Sequence, residues 1–308
     1  MYHKFYIFRS FVQVYIRNLK IVKVLYASRP IVISIPFSYY YVVFHTESDS
    51  SPMDSITFLG VAGARFMVSR QLAASGGIWL DLGGMCILID PSPGSIIQSA
   101  NRKLDAEKLV AIILSHRHLD HSADVNIMVE AMTNGGFNRH GMLFAPADAL
   151  GEEPVVYSYL RNFLESITLL EAGKSYNIGD VSFTTPIRHI HPVETYGMVF
   201  RTPRCNFAYL ADTRYFETLA DSYRSDLLII NMVLTEPRPP IDHLSIPDVV
   251  KIVDAVRPRV MILSHFGLHV WREGPCPIAD RISKQTGCRV IAARDGMRFD
   301  PTTFEEIR

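Results

Sequence analysis

The stretch Ser115–Ser122 reads Ser-His-Arg-His-Leu-Asp-His-Ser, and no other part of the chain restricts its possible folds as sharply. Leu109–Leu114, just before it, is an unbroken apolar run, the pattern of a strand buried on both faces. Just after it, Ala123–Met132 sets Val125, Met128, Val129 and Met132 at helical spacing. Three histidines and an aspartate therefore share one loop between a buried strand and a helix, where α/β proteins carry their chemistry. Imidazole and carboxylate together suit Zn²⁺ and related divalent ions. His116 and His118 stand two apart and can turn toward one ion. Asp120 and His121 follow too closely to complete the same tetrahedron, and are better placed for a second ion beside the first. The structural alternative is a polar helix-start loop with Asp120 near the cap. Three histidines in so short a loop after a buried strand argue against it.

The chain has 308 residues and is 48% hydrophobic, enough for one large α/β domain with a sizeable core. Its formal net charge is 0, so no global basic field suits it to gripping many phosphates of a nucleic acid. Cys86, Cys205, Cys276 and Cys288 lie far apart without paired spacing. That usage points to a reducing, cytoplasmic setting and to neither a disulfide framework nor a zinc knuckle. Residues 1–52 differ in composition. Met1–Tyr26 mixes aromatics with Lys4, Arg9, Arg17, Lys20 and Lys23, and Ile31–Phe44 is apolar but interrupted by Pro36 and Ser38. That run is shorter than the roughly 20 residues of a spanning helix, and the order of features is poor for a signal peptide. We read 1–52 as an appended or spurious extension, poorly packed, with the working domain at 53–308. A membrane-associated anchor is the second reading.

The order His116-x-His118-x-Asp120-His121 resembles the signature of the metallo-β-lactamase superfamily, and the resemblance extends from about Ser55 to Phe299. It implies an α/β fold, a four-layer αβ/βα sandwich of two mixed sheets flanked by helices, with a two-ion metal site at the sheet edge. It implies that Asp90, ending the hairpin Ile78–Leu82 and Cys86–Asp90, supports the metal loop, a role compatible with capping the turn. The third histidine of the first site matches His191 better than His189, which also reads as a strand residue among polar neighbours. Asp212 matches the aspartate that bridges the ions, and His265 the last ligand, joining Asp120 and His121 at the second ion. Zn²⁺ is the expected metal, with Mn²⁺ next.

His243, one helix and one strand before His265, resembles the proton-donating histidine of the phosphodiesterase branch, which includes the tRNA 3′-processing endonucleases and the phosphoribosyl cyclic phosphodiesterases. Its bland reading is a surface histidine ahead of the helix Ile246–Val256, for which Ser245 is a candidate N-cap. With Asp120 it forms the candidate catalytic pair. The stretch between His191 and Asp212 is long enough only for a hairpin, so the tRNA-gripping arm is absent. A small-molecule phosphodiester is the expected substrate and tRNA is not. The phosphoribosyl enzymes' extra cysteine- and histidine-rich metal site has no counterpart here. The alternatives are an ester or thioester hydrolase (lactonase or glyoxalase-II-like) and a short tRNA endonuclease lacking the arm. Arg65, Arg70 and Gln71 read as an active-site border loop, His269 and Trp271 as pocket-mouth or packing residues, and Asp295 as structural. Val155–Leu164 is expected to be helical, and Ile167–Leu170, Lys174–Ile178 and Val181–Pro186 to be strands of the second sheet. A homodimer is compatible with the sequence, and no membrane partner is expected.

A chain beginning at Met53 is expected to keep the full melting temperature and activity. Thermal unfolding of the shortened protein checks this, and a large fall in either quantity would make 1–52 an integral part of the fold.

Overall fold

The computed structural model describes residues 53–308 and, ahead of them, two short antiparallel strands, Val24–Tyr26 and Arg29–Ile31. The reading of 1–52 as an extension otherwise lies outside the described residues. Within 53–308 the chain builds two mixed sheets. The first runs, in spatial order, Glu305–Ile307, Arg298–Asp300, Ser55–Phe58, Ile78–Leu82, Met85–Ile89, Leu109–Ile113, Met142–Ala145 and Ser166–Leu169. The second runs Arg289–Ala292, Val260–Ser264, Leu227–Asn231, Asn206–Leu210, Met198–Arg201, Val181–Thr185 and Lys174–Ile178. Each sheet joins an antiparallel part to a parallel one.

Strand alternation assigns the layers. Ile87, Ile89, Ala111 and Ile113 face the inner core together with Phe183, Phe200 and Phe207 of the second sheet. Leu88, Ile112 and Leu143 face the other way and cover Val125, Met128, Val129 and Met132 of the helix Val125–Met132. Val249, Ile252 and Val253 of the helix Ile246–Val256 join the larger core on the second sheet's side. The result is the expected four-layer sandwich. Among the described residues no helix is long and apolar enough to cross a membrane.

Three local readings change. Ile167–Leu170, expected in the second sheet with the strands that follow it, instead forms the edge strand Ser166–Leu169 of the first, parallel to Met142–Ala145. Val155–Leu164, expected to be helical, keeps only the turn Ser158–Arg161. Its β-branched and aromatic residues favour helix weakly, and the Arg161 guanidinium donates to the Leu150 and Val156 carbonyls. The border loop holds a short helix, Ala64–Arg70.

The strand ends matter most for the site. Met85–Ile89, Leu109–Ile113, Asn206–Leu210, Leu227–Asn231 and Val260–Ser264 lie in the parallel parts, and their C-terminal ends lead into Asp90, His116, Asp212, Asn231 itself and His265. Two close approaches hold this rim. A Cβ on Gly77, whose φ is +76°, would lie 2.1 Å from the Asp90 carbonyl oxygen, and one on Gly63 would lie 2.2 Å from that of His265. Asp90 and His265 themselves take φ values of 51° and 57°, a region that ordinary side chains seldom occupy. Ser245 begins the helix Ile246–Val256 as expected. Its N–H and hydroxyl both donate to the Asp248 carboxylate, at 3.1 and 2.5 Å, a cap that contributes about 1 kcal/mol.

Candidate metal centre

The loop after Leu109–Ile113 carries His116 and His118, and the turn Leu119–Ser122 carries Asp120 and His121. The second sheet supplies Asp212, His265 and, from the segment before Met198–Arg201, His191. Ligand atoms of His116, His118 and His191 form one group, and those of Asp120, His121, Asp212 and His265 form another, each with its atoms within 4.8 Å of one another. Asp212 Oδ2 lies 3.4 Å from His121 Nε2, 3.5 Å from His265 Nε2 and 4.0 Å from His116 Nε2, so it stands between the groups.

Hydrogen-bond bookkeeping fixes where the imidazole lone pairs point. Ser115 Oγ donates to Asp90 Oδ2 at 2.6 Å, so it accepts from His116 Nδ1–H at 3.0 Å. His116 Nε2 is then a bare lone pair, buried and without a hydrogen-bond partner. His121 Nδ1–H donates to Asp90 Oδ2 at 2.9 Å, and His191 Nδ1–H to the Asp242 carbonyl at 3.0 Å. Their Nε2 lone pairs face His265 Nε2 at 3.3 Å and His118 Nδ1 at 3.1 Å. Imidazole lone pairs brought this close need a cation or a proton between them. The donor set therefore fits divalent metal: every converging atom is an imidazole nitrogen or a carboxylate oxygen, and the outward Nδ1 atoms of His116, His121 and His191 are held by protein acceptors.

The electrostatics agree. Burial pushes the pKa values of His116, His118 and His191 down, which keeps them as neutral ligands. Burial also opposes charge on His121 and His265, but the neighbouring carboxylates together outweigh it, Asp212 with Asp90 raising His121 well above its ordinary value and Asp212 with Asp120 raising His265 to about 9. The negative field that draws protons to this half of the cluster draws divalent cations equally. Asp120 and Asp212 are pushed up by burial, yet the surrounding histidines prevail and hold both carboxylates well below their usual range.

The remaining candidates separate clearly. His189 points away from the cluster. Its Nδ1 donates to the Asp212 carbonyl at 3.1 Å, and its Nε2 meets Tyr223 Oη at 2.6 Å. His243 stands beside the cluster but outside both groups, with Nδ1 3.4 Å from Asp212 Oδ2 and its ring 5.2 Å from that of His191. Asp295 accepts from Val61 N–H at 3.0 Å and Ala74 N–H at 2.8 Å, clamping the strap that passes Gly63. Arg65 is exposed, Arg70 lies 5.8 Å from the Phe66 ring centre, and the Gln71 amide donates to the Val68 carbonyl. His269 is exposed, and Trp271 packs against the larger core.

Sequence reasoning missed Ser115, Tyr209 and Asn231, which hold the ligands from beneath. A polar residue ending the otherwise apolar strand Leu227–Asn231 is the one signal that could have marked Asn231.

A family model described as a beta-lactamase superfamily domain matches residues 86–266, more than half of the chain. An uncharacterized protein of Methanocaldococcus jannaschii is 29% identical over 254 residues, spanning 80% of this chain and 94% of the relative. The solved structure of the metallo-beta-lactamase fold protein YhfI from Bacillus subtilis superposes with a TM-score of 0.66 at 22% identity, covering 80% of this chain and 99% of that one. A diphosphatase from the PhnP family superposes with a TM-score of 0.61 at 19% identity, covering 80% and 97%. Both structural likenesses concern the fold.

Two measurements follow from the histidine geometry. Elemental analysis of purified variants should show less bound metal in His191→Ala and wild-type content in His189→Gln. Equal losses in the two would contradict the orientation of this segment. The second concerns pH. Burial lowers His189 from 6.5 to about 4. Between those values the unfolded chain binds a proton that the folded chain refuses. The contribution to stability is therefore complete above pH 6.5 and is lost as pH falls toward 4, by up to ~3 kcal/mol. Urea unfolding of the metal-free proteins should show wild type losing more stability than His189→Gln across that window, and parallel curves would refute the assignment.

Proposed function

The chain belongs to the metallo-β-lactamase superfamily of metal-dependent hydrolases, and from that premise we propose that it cleaves a small or cyclic phosphodiester at a pair of divalent ions, with His243 protonating the leaving oxygen. The position of His243 carries this reading. It lies against Asp212 without joining either ligand group, and its Nδ1 is buried with no hydrogen-bond partner among the described residues. Its backbone N–H bonds the Ile241 carbonyl, and the Ser245–Asp248 cap begins two residues later, so the ring is held by a structured segment.

His116, His118 and His191 are the proposed ligands of one ion, and Asp120, His121 and His265 of the other, with Asp212 shared. Five imidazoles and two carboxylates favour Zn²⁺, with Mn²⁺ second. Divalent ions in such a pair lower the pKa of a water to supply a nucleophile at neutral pH and offset charge developing at phosphorus. Asp120 is the most exposed carboxylate of the cluster, at 16%, and it stays ionised. It can accept a hydrogen bond from the attacking water and orient it. His243, protonated, gives its proton to the departing alkoxide and is left neutral. Burial lowers its pKa against the pull of Asp212, which makes the imidazolium a stronger acid and a smaller share of the resting population.

Two further observations support a small substrate. Between His191 and Asp212 the chain forms only the strand pair Met198–Arg201 and Asn206–Leu210, which leaves no arm to grip tRNA. The chain's net charge is 0. A fold relative described as a diphosphatase is compatible with chemistry at phosphorus. Thioester hydrolysis at the same metal site has less need of His243, because a thiolate is a far weaker base than an alkoxide and leaves without prior protonation.

His243→Ala should retain wild-type metal content. It should slow hydrolysis of a phosphodiester with a poorly acidic alcohol by ~10²–10⁴-fold, the usual contribution of general acid catalysis. Hydrolysis of bis-p-nitrophenyl phosphate, whose leaving group needs little protonation, should suffer much less. Equal slowing of the two substrates, or loss of metal, would remove the general-acid role. A wild-type preference for a thioester or lactone over every phosphodiester would overturn the substrate class.

A further inference from the structure

Beneath the metal cluster lies a buried hydrogen-bond chain that the ligand assignments leave unexplained. Asn231, Tyr209 and Asp212 are each 2–3% exposed. Tyr209 Oη–H donates to Asp90 Oδ2 at 2.9 Å, so its oxygen is an acceptor toward Asn231 Nδ2 at 3.1 Å. Asn231 Nδ2 also lies 2.9 Å from Asp212 Oδ1. Both neighbours of that amide group are acceptors, which leaves only the NH₂ orientation and uses both of its hydrogens. Asp212 Oδ1 is thereby engaged, whereas Oδ2 has the converging histidine nitrogens around it at 3.4–4.0 Å. A carboxylate with both oxygens free can chelate a single ion. One with an oxygen tied back offers the other alone.

We propose that Asn231 is a positioning residue that reserves Asp212 Oδ2 as the one atom shared by both ions, and that Tyr209 ties this arrangement to Asp90. The proposal rests on the two-ion reading of the cluster. Asn231 ends its strand beside Ser264, the residue before His265, so the same backbone pairing sets the amide and the last histidine in register. The amide acts on the shared ligand from the protein side and touches no substrate.

The test is Mn²⁺ titration of the metal-free full-length protein, followed by equilibrium binding and electron paramagnetic resonance. Wild type should take up two equivalents and show the signal of an exchange-coupled Mn²⁺ pair. Asn231→Leu, which keeps the volume and removes the donor, should bind the first equivalent as wild type does. It should bind the second ~10–100-fold more weakly, the usual effect of losing a residue that orients a metal ligand, and lose the coupled signal. If Asn231→Leu does not fold, Tyr209→Phe must show the same selective weakening. Unchanged binding of both equivalents in a folded variant, or equal weakening of both, overturns the positioning role. A single equivalent in wild type overturns the two-ion reading itself and takes this inference with it.

Discussion

The interaction on which the rest of the site depends is the set of hydrogen bonds received by one carboxylate, Asp90. Its Oδ1 takes the Ser115 N–H at 2.6 Å, and its Oδ2 takes Ser115 Oγ, His121 Nδ1 and Tyr209 Oη at 2.6–2.9 Å. Through Ser115 it sets the tautomer of His116, directly it sets that of His121, and through Tyr209 and Asn231 it reaches Asp212. One buried anion thus orients a ligand of each histidine group and the carboxylate between them. Charge-assisted bonds of this kind are the strong ones in a low-dielectric interior, and they hold Asp90 in a backbone conformation it would otherwise avoid.

That anion can reach so far because of how the sheets meet. Asp90 and the metal loop follow neighbouring parallel strands of the first sheet, and Asp212, Asn231 and His265 belong to neighbouring parallel strands of the second. The apolar faces of both sheets pack into one core, which brings the two sets of strand ends to a common rim. Hydrophobic burial supplies the driving force, and the polar groups collect where the strands stop. The two glycines against Asp90 and His265 are the local condition for this approach, because any side chain there would strike backbone.

The contrast between His189 and His191 shows how the same residue type is sorted by partner. His189 is buried and hydrogen-bonded at both nitrogens, so it has no lone pair left to offer. His191 is bonded only at Nδ1 by a carbonyl and keeps Nε2 for the cluster. His243 is a third case, near the cluster but outside both ligand groups, with an unpartnered Nδ1.

The metal loop and its flanking strand and helix were legible in the sequence because their signals are local, an apolar run, a helical period and three histidines in one short loop, whereas His191, Asp212, His243 and His265 were picked out by the superfamily resemblance. The superfamily resemblance ordered those signals along the chain, and the matched family model agrees with it. Readings that needed a partner strand failed or stayed silent. Ser166–Leu169 went to the other sheet because hydrogen bonding to Met142–Ala145, and not adjacency in sequence, decides which edge a strand joins. Val155–Leu164 keeps only the turn Ser158–Arg161, beside which the Arg161 guanidinium bonds the Leu150 and Val156 carbonyls, contacts that no periodicity reveals. Tyr209 and Asn231 carried no motif, since their role exists only where a strand end of one sheet meets Asp90 of the other. The sequence by itself determined which atoms could bind metal. Tertiary structure decided which lone pairs face inward, because a tautomer depends on what the far nitrogen touches and that contact spans the two sheets.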